Sequence, residues 1–114
     1  MSGKRVLVCG GREFSDRDLL ARKLSDLDIA LLIHGGARGA DSMAGNWAQA
    51  MGIPVQVYPA LWHLDGKAAG PIRNSRMLAD SKPDLVIAFP GGNGTADMVR
   101  KSRLAGVETI VVKP

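Results

Sequence analysis

The sequence has few of the residues that bring redox or metal chemistry to a small protein. Cys9 is the only cysteine among 114 residues, so no internal disulfide can form. His34 and His63 have no cysteine or acidic partners at metal-ligand spacing, and we therefore expect neither a metal site nor another bound cofactor. No Gly-x-Ser-x-Gly motif is present, and no histidine can be assigned to Cys9 as a partner. The sequence thus does not favour a nucleophilic enzyme.

Long apolar runs and aromatic side chains are also scarce. Every apolar run is far shorter than the roughly 18 residues of a membrane span, and the N-terminus lacks the basic-then-apolar pattern of a signal peptide. We therefore expect a cytoplasmic protein without a membrane partner. The two Trp, one Tyr and two Phe are few for stacking on nucleic-acid bases, although the net charge of +4 suits a partner that carries phosphate.

Glycine, by contrast, is abundant and concentrated in three turns. Of the 14 glycines, eight lie within residues 9–13, 34–41 and 90–95. Each of these segments follows an apolar, strand-like run and precedes a helix-like stretch. A backbone without Cβ can approach a ligand closely and direct its N–H groups at it. The pattern is typical of a phosphate-binding pocket.

Apolar patterning predicts five strands that alternate with helices. The strands are expected at residues 5–9, 29–33, 53–58, 84–89 and 107–112, and the helices at residues 16–27, 41–51, 72–80 and 95–104, with a long loop at residues 59–71. The length of 114 residues and the hydrophobic content of 46% predict a single α/β domain over residues 1–114. Its fold is a Rossmann-like, doubly wound three-layer sandwich with a five-stranded parallel sheet in the order 3-2-1-4-5. In that order all three glycine-rich turns line one crevice.

The turn at residues 90–95 is the most specific signal in the sequence. It lies at a strand-to-helix junction, where unpaired N–H groups, the positive end of the helix dipole and the Thr95 hydroxyl can hold a phosphate. The turn matches neither a Walker P-loop nor the dinucleotide-binding Gly-x-Gly-x-x-Gly motif. The simpler alternative is a tight turn followed by a threonine cap.

Charged residues in the two other turns extend the predicted site. Arg12 and Arg38 are expected to face the crevice, because the planar guanidinium suits bidentate contact with phosphate. Either arginine could instead pair with Glu13 or Asp16. Asp41, at the start of a predicted helix, is expected to cap the backbone or to accept hydrogen bonds from ribose hydroxyls.

The predicted loop at residues 59–71 is long enough to act as a binding loop. Lys67 is expected to reach the ligand, and Trp62 either stacks on a base or packs against the domain or a second subunit. Arg73 and Asn74 follow the loop and are expected to point toward the crevice. The predicted ligand-binding residues are Gly10, Gly11, Arg12, Gly35, Gly36, Arg38, Asp41, Lys67, Arg73, Asn74, Gly91, Gly92, Asn93, Gly94 and Thr95.

Together, four segments resemble the SLOG superfamily, and in particular its small YspA-like branch: residues 9–14, residues 34–41 with Ala44, Trp47 and Ala48, residues 66–74, and residues 89–95. This superfamily unites the Lonely Guy nucleotide phosphoribohydrolases, the lysine decarboxylase-like proteins and the DNA-processing protein DprA. The resemblance covers almost the whole chain. It implies a Rossmann-like fold that binds nucleotides or nucleotide-derived ligands and forms homo-oligomers, and most members of the small branch have no assigned activity.

Phosphoribohydrolases of the Lonely Guy type have Arg-Lys-x-x-Met followed by Pro-Gly-Gly-x-Gly-Thr-x-x-Glu, whose arginine and final glutamate serve cleavage of an N-glycosidic bond. The present sequence is similar at residues 73–77 and keeps the arginine as Arg73, but Met98 occupies the place of the glutamate. Asp97 is adjacent, and a rotation of about 100° per helical residue disfavours it as the replacement. If the protein is an enzyme, the catalytic candidates are Arg73 together with Glu13 or Asp97 in the role of the absent glutamate.

These observations favour a sensor that binds a nucleotide or an ADP-ribose-like ligand over an enzyme. Two alternatives stay open: an N-glycosidase acting on nucleoside 5′-monophosphates, and a nucleic-acid-binding module as in DprA. A Met98→Glu change is expected to restore part of the cleavage. Surplus apolar residues such as Trp62 and Met98 are expected to support the homo-oligomer.

Overall fold

A five-stranded parallel sheet in the order β3-β2-β1-β4-β5 forms the centre of the computed structural model, which describes residues 3–114. The strands are β1 (Lys4–Cys9), β2 (Ile29–His34), β3 (Val55–Val57), β4 (Leu85–Ala88) and β5 (Glu108–Val111). The helices are α1 (Arg17–Ser25), α2 (Ala40–Ala50), α3 (Trp62–Asp65), α4 (Ala69–Ser81) and α5 (Asn93–Leu104). The predicted α/β fold and strand order are confirmed.

Alternate side chains of the central strands enter two apolar layers. On one face of the sheet, Val6 and Val8 of β1 pack with buried residues of α1 and α2. On the other face, Leu7 and Cys9 pack with buried residues of α4 and α5. Parallel strands covered on both faces are continuously apolar, which is why the sequence predicts them well. The result is the expected three-layer sandwich.

The segment between β3 and β4 differs from the prediction of a long loop. It contains α3 and a 3-10 turn at Gly66–Ala68, and α4 begins at Ala69 instead of residue 72. Pro71 is the third residue of α4, where its missing N–H costs no intrahelical hydrogen bond. From the sequence, this proline is predicted at the end of a loop, whereas in the structure it lies inside the first helical turn.

The turns after β1, β2 and β4 pack against one another at the carboxyl edge of the sheet. The Gly11 N–H donates to the Pro90 carbonyl oxygen over 2.9 Å. A Cβ on Gly10 would lie 2.5 Å from Cβ of Ala40 and 3.1 Å from Cβ of Phe89, so only glycine permits this approach. The chain leaves β1 and β4 toward opposite faces of the sheet, and a crevice opens between their ends.

Across residues 3–114, none of the helices combines the length and the apolar character that crossing a lipid bilayer requires.

Candidate functional site

A cleft of about 580 Å³ opens at the carboxyl ends of β1 and β4. This volume lies within the range of small-ligand sites, and the position is the switch point at which doubly wound sheets bind ligands. The cleft is lined by most of the residues that the sequence predicts for the site: Gly10, Gly11, Arg12, Asp41, Lys67, Arg73, Asn74, Gly92, Asn93, Gly94 and Thr95. Residues distant in sequence are thus brought together.

The other predicted residues lie outside this cleft. Gly35, Gly36 and Arg38 line a second cleft of about 480 Å³. Gly91 lines neither cleft and packs on the backbone of Gly11, where an added Cβ would lie 2.9 Å from Cα. The single crevice expected from the sequence is therefore two neighbouring clefts, and both are lined by Arg12 and Trp62.

The N-terminus of α5 opens into the first cleft. Gly92 is the N-cap, no side chain caps the helix there, and the Ala96 N–H is bonded to the Gly92 carbonyl oxygen over 3.0 Å. The N–H groups before Ala96 have no partner within the helix. A Cβ on Gly92 or Gly94 would meet no atom within 4 Å, so this backbone is open to a ligand. Thr95 is the third residue of α5 and not its cap.

Arg73 extends from α4 toward the turn after β2. Its Nη1 donates to the carbonyl oxygens of Gly35 and, over 3.3 Å, of Tyr58, while Nε donates to Oδ1 of Asn74 over 3.0 Å. All of these acceptors are uncharged. Among residues 3–114, no carboxylate forms an ion pair with Arg73.

The charge of Arg73 is therefore poorly compensated. Burial lowers the pKa of Arg73, the nearby carboxyl of Asp41 raises it, and the guanidinium groups of Arg12 and Arg76 lower it further. Such crowding of like charges is relieved when an anion enters. Arg73 lines both clefts and can serve either.

Asp41, the second residue of α2, holds the turn before its own helix. Its Oδ2 accepts hydrogen bonds from the N–H groups of Gly35, over 3.1 Å, and Ala37, over 3.3 Å. Gly39 is the N-cap of α2, so the capping role expected for Asp41 is wrong in detail. Asp41 is only 5% exposed, and burial raises its pKa to about 6, although both backbone hydrogen bonds and the charge of Arg73 act in the opposite direction.

A polar network on α4 and α5 forms another wall of the first cleft. Nδ2 of Asn74 donates to Oδ2 of Asp97 over 3.0 Å and to the Gly94 carbonyl oxygen over 3.2 Å. Asp97 also pairs with Lys101 over 3.0 Å and with Arg100 over 2.8 Å. Burial raises the pKa of Asp97, but the hydrogen bonds from Asn74 and Lys101 and the nearby cations outweigh burial and lower the pKa. Asp97 is therefore ionised at neutral pH.

Met98 points away from this wall into the core. It is completely buried in the apolar layer that contains Leu7 and Met77. The rotation of about 100° per helical residue disfavours Asp97 as a replacement for the family's glutamate, whereas the structure places Asp97 in the lining of the cleft. The expectations that a glutamate at position 98 would reach a substrate, and that Met98 would support an oligomer surface, are both wrong for this reason.

The boundary between the two clefts is formed by two exposed contacts. The Arg12 guanidinium lies over the Trp62 ring, 5.3 Å from the ring centroid, and Trp62 is 49% exposed. An Arg38 Nη atom lies 2.7 Å from a carboxylate oxygen of Glu13, and both side chains are largely exposed. Trp62 therefore stays available to a ligand, and the alternative pairing of Arg38 with Glu13 is the one that the structure contains.

Cys9 and Met77 also line the first cleft, although the sequence analysis did not assign them to the site. Met77 follows Arg73 by four residues on α4, and this helical spacing places both on one face. Burial raises the pKa of the Cys9 thiol to about 12, so the thiol stays protonated and is not a nucleophile at neutral pH.

His34 ends β2 and has a structural role. Its Nδ1 accepts a hydrogen bond from the Gly36 N–H over 2.9 Å. Burial lowers the pKa of His34, and the charge of Arg73 lowers it further, so the imidazole is neutral. Within the described residues, no three His, Cys, Asp or Glu side chains are grouped in a way that could hold a metal ion.

Comparisons with known proteins agree with this architecture. Residues 4–64, just over half of the chain, match the model of the YspA, cpYpsA-related SLOG family. The chain is 37% identical over 119 aligned positions to the Gene 61 protein of Mycobacterium phage D29, with 94% of each chain covered. Its fold is similar to that of glycinamide ribonucleotide transformylase 1 from Geobacillus kaustophilus, with a TM-score of 0.50 and 21% identity. That similarity covers 99% of this chain and 59% of the other, and it supports the fold alone.

Proposed function

Because the chain belongs to the YspA, cpYpsA-related SLOG family, we propose that it binds a nucleotide or a nucleotide-derived ligand in the first cleft. One observation carries the proposal: the uncapped N-terminus of α5 opens into that cleft. The unpaired N–H groups and the positive end of the helix dipole there attract an anion.

The phosphate of the ligand lies against residues 92–95 in this proposal. The backbone N–H groups donate to its oxygens, and the Thr95 hydroxyl adds a further donor. Lys67 and Arg12 line the same cleft and supply positive charge. Since Gly92 and Gly94 leave open space where a Cβ would stand, the phosphate can approach the backbone directly.

The remaining walls of the cleft suit the sugar and the base. Asp97 and Asn74 present a carboxylate and an amide that can bond to ribose hydroxyls. The exposed indole of Trp62 offers a flat apolar surface for a base. A cleft with a few convergent polar groups and one aromatic wall is the arrangement that small-molecule sites share.

Isothermal calorimetry with AMP, ADP and ADP-ribose, and with adenosine as the ligand without phosphate, tests this proposal. We expect the phosphorylated ligands to bind more tightly than adenosine, and Arg12→Gln to weaken that preference. Arg22→Gln is the matched control, because Arg22 is exposed on α1 and lines neither cleft. The proposal is wrong if the three nucleotides fail to bind at millimolar concentration while adenosine binds.

A second candidate function is hydrolysis of the N-glycosidic bond of a nucleoside monophosphate. The observation that favours it is the position of Asp97, an ionised carboxylate in the cleft beside Asn74. A carboxylate near the sugar can stabilise an oxocarbenium-like transition state or activate water. Measuring the release of adenine from AMP by chromatography distinguishes this activity from binding alone.

A further inference from the structure

The second cleft differs from the first in its charge. Arg12, Arg38 and Arg73 line it, and no lining residue, all of them within the described chain, carries a carboxylate. The first cleft, in contrast, is lined by three acidic residues: Glu13, Asp41 and Asp97. Several guanidinium groups without an acid among them form a surface that favours an anion, and their planar shape suits phosphate.

The three arginines are not committed to strong ion pairs within the described part of the chain. Arg73 donates only to uncharged oxygens, and Arg12 lies against the ring of Trp62. Arg38 pairs with Glu13, but both partners are largely exposed. Exposed ion pairs contribute little, so an incoming phosphate can displace Glu13 from Arg38.

The two clefts are neighbours and share part of their lining. Arg12, Arg73 and Trp62 belong to both, so the contact between Arg12 and Trp62 stands at their boundary. Both residues are exposed, and their side chains can move without disturbing the core. A ligand anchored at the N-terminus of α5 can therefore extend past this contact into the second cleft.

We propose that the ligand is a nucleotide with two separated phosphate groups, one held at residues 92–95 and the other by Arg38 and Arg73 in the second cleft. A nucleoside 3′,5′-bisphosphate or a 5′-phosphorylated dinucleotide has this chemistry. The inference rests on the proposed function for the first phosphate and adds the second.

Calorimetry with three probes tests the inference: AMP, adenosine 3′,5′-bisphosphate and the 5′-phosphorylated dinucleotide pApA. We expect one of the two doubly phosphorylated probes to bind about tenfold more tightly than AMP, the gain typical of an added charge-assisted contact. The ratio of the affinity for that probe to the affinity for AMP should fall close to one in Arg38→Gln. Glu13→Gln should raise it, because Arg38 is then released from its ion pair. Arg22→Gln should leave the ratio as in the wild type.

The outcomes separate the two proposals. If AMP binds but neither doubly phosphorylated probe gains affinity, or if the gain survives Arg38→Gln, the second phosphate position is wrong and the proposed function stands. If AMP and both doubly phosphorylated probes fail to bind, both proposals are wrong. Thermal unfolding of each variant is the control for folding. Because Arg38 and Glu13 are exposed, we expect both variants to unfold at nearly the wild-type temperature.

Discussion

Asp97 and Met98 are consecutive residues of α5, yet Asp97 lines the first cleft while Met98 is completely buried on the sheet. The rotation of about 100° per residue along a helix separates their directions. The carboxylate of α5 that faces the first cleft is therefore one position earlier than in the Lonely Guy pattern. The carboxylates that line this cleft are those of Glu13, Asp41 and Asp97, and position 98 is not among the lining residues.

Met98→Glu is expected to destabilise the protein by on the order of 3–5 kcal/mol, because it places an unpaired charge in an apolar layer. Met98→Leu conserves volume and should cost less than about 1.5 kcal/mol. Urea unfolding of the two variants and the wild type measures this difference. A Met98→Glu protein of wild-type stability that also releases adenine from AMP would contradict the buried position of this side chain.

The wild type is expected to release little adenine from AMP. Lys101 and Arg100 already neutralise Asp97, so less of its charge is available to an oxocarbenium-like transition state. The decisive comparison is adenine release by the wild type, Asp97→Asn and Glu13→Gln. Robust turnover that falls by about 10²-fold or more in Asp97→Asn alone would identify Asp97 as catalytic and reject the binding-only proposal.

Self-association of the chain remains a prediction, but of the two residues named for it from the sequence, Trp62 and Met98, only Trp62 is exposed. Met98 is buried and cannot contribute, whereas Trp62 and Leu64 are exposed apolar side chains of the short helix α3. Exposed apolar surface of this kind favours association between copies of the chain. Light scattering should give the mass of two or more chains at micromolar concentration. A mass of one chain at every concentration would show that this expectation is wrong.

The sheet could be predicted from the sequence because its central strands carry a local signal. Residues 6–9 and 85–89 are continuously apolar, as strands covered on both faces must be, and right-handed crossovers then restrict the strand order. Most residues of the first cleft could be predicted from this strand order, because glycine-rich turns after neighbouring parallel strands meet at one edge of the sheet.

Features that depend on side-chain direction or long-range contact could not be predicted in the same way. The split into two clefts depends on the approach of Arg12 to Trp62, which lie 50 positions apart in sequence. The start of α4 was missed because Pro71 reads equally well as a loop residue and as part of a first helical turn. The face of α5 that lines the first cleft is set by packing of Met98 in the core.

Two glycine-to-alanine substitutions are expected to act differently: one lowers the stability of the fold, and the other weakens nucleotide binding. A Cβ on Gly35 would overlap the Arg73 guanidinium and lie 3.0 Å from Oδ2 of Asp41, so Gly35→Ala should destabilise the fold by about 1–3 kcal/mol. A Cβ on Gly94 meets no protein atom within 4 Å, and alanine favours the helix. Gly94→Ala should therefore keep or slightly raise stability while it weakens nucleotide binding.

Thermal unfolding and calorimetry on the same samples check this pair. Each variant is the control for the other, because the chemical change is identical and only the surroundings differ. Gly94→Ala with undiminished affinity for AMP would show that the phosphate does not approach this part of α5.

The pH dependence of stability tests the buried carboxyl of Asp41. Burial raises its pKa from 3.8 to about 6, so between these pH values the folded protein holds a proton that the unfolded chain has released. The free energy of unfolding should therefore fall as pH rises through this window. A shift of about two pKa units corresponds to about 3 kcal/mol.

Asp41→Asn keeps an oxygen that can accept from Gly35 but removes the titration. Its stability relative to the wild type should rise by up to about 3 kcal/mol between pH 4 and pH 7, as measured by urea unfolding at each pH. His34 has a lowered pKa and contributes a slope of the opposite sign, but it is present in both proteins and cancels in the difference. If the difference in unfolding free energy between Asp41→Asn and the wild type stays constant over this pH range, burial does not raise the pKa of Asp41.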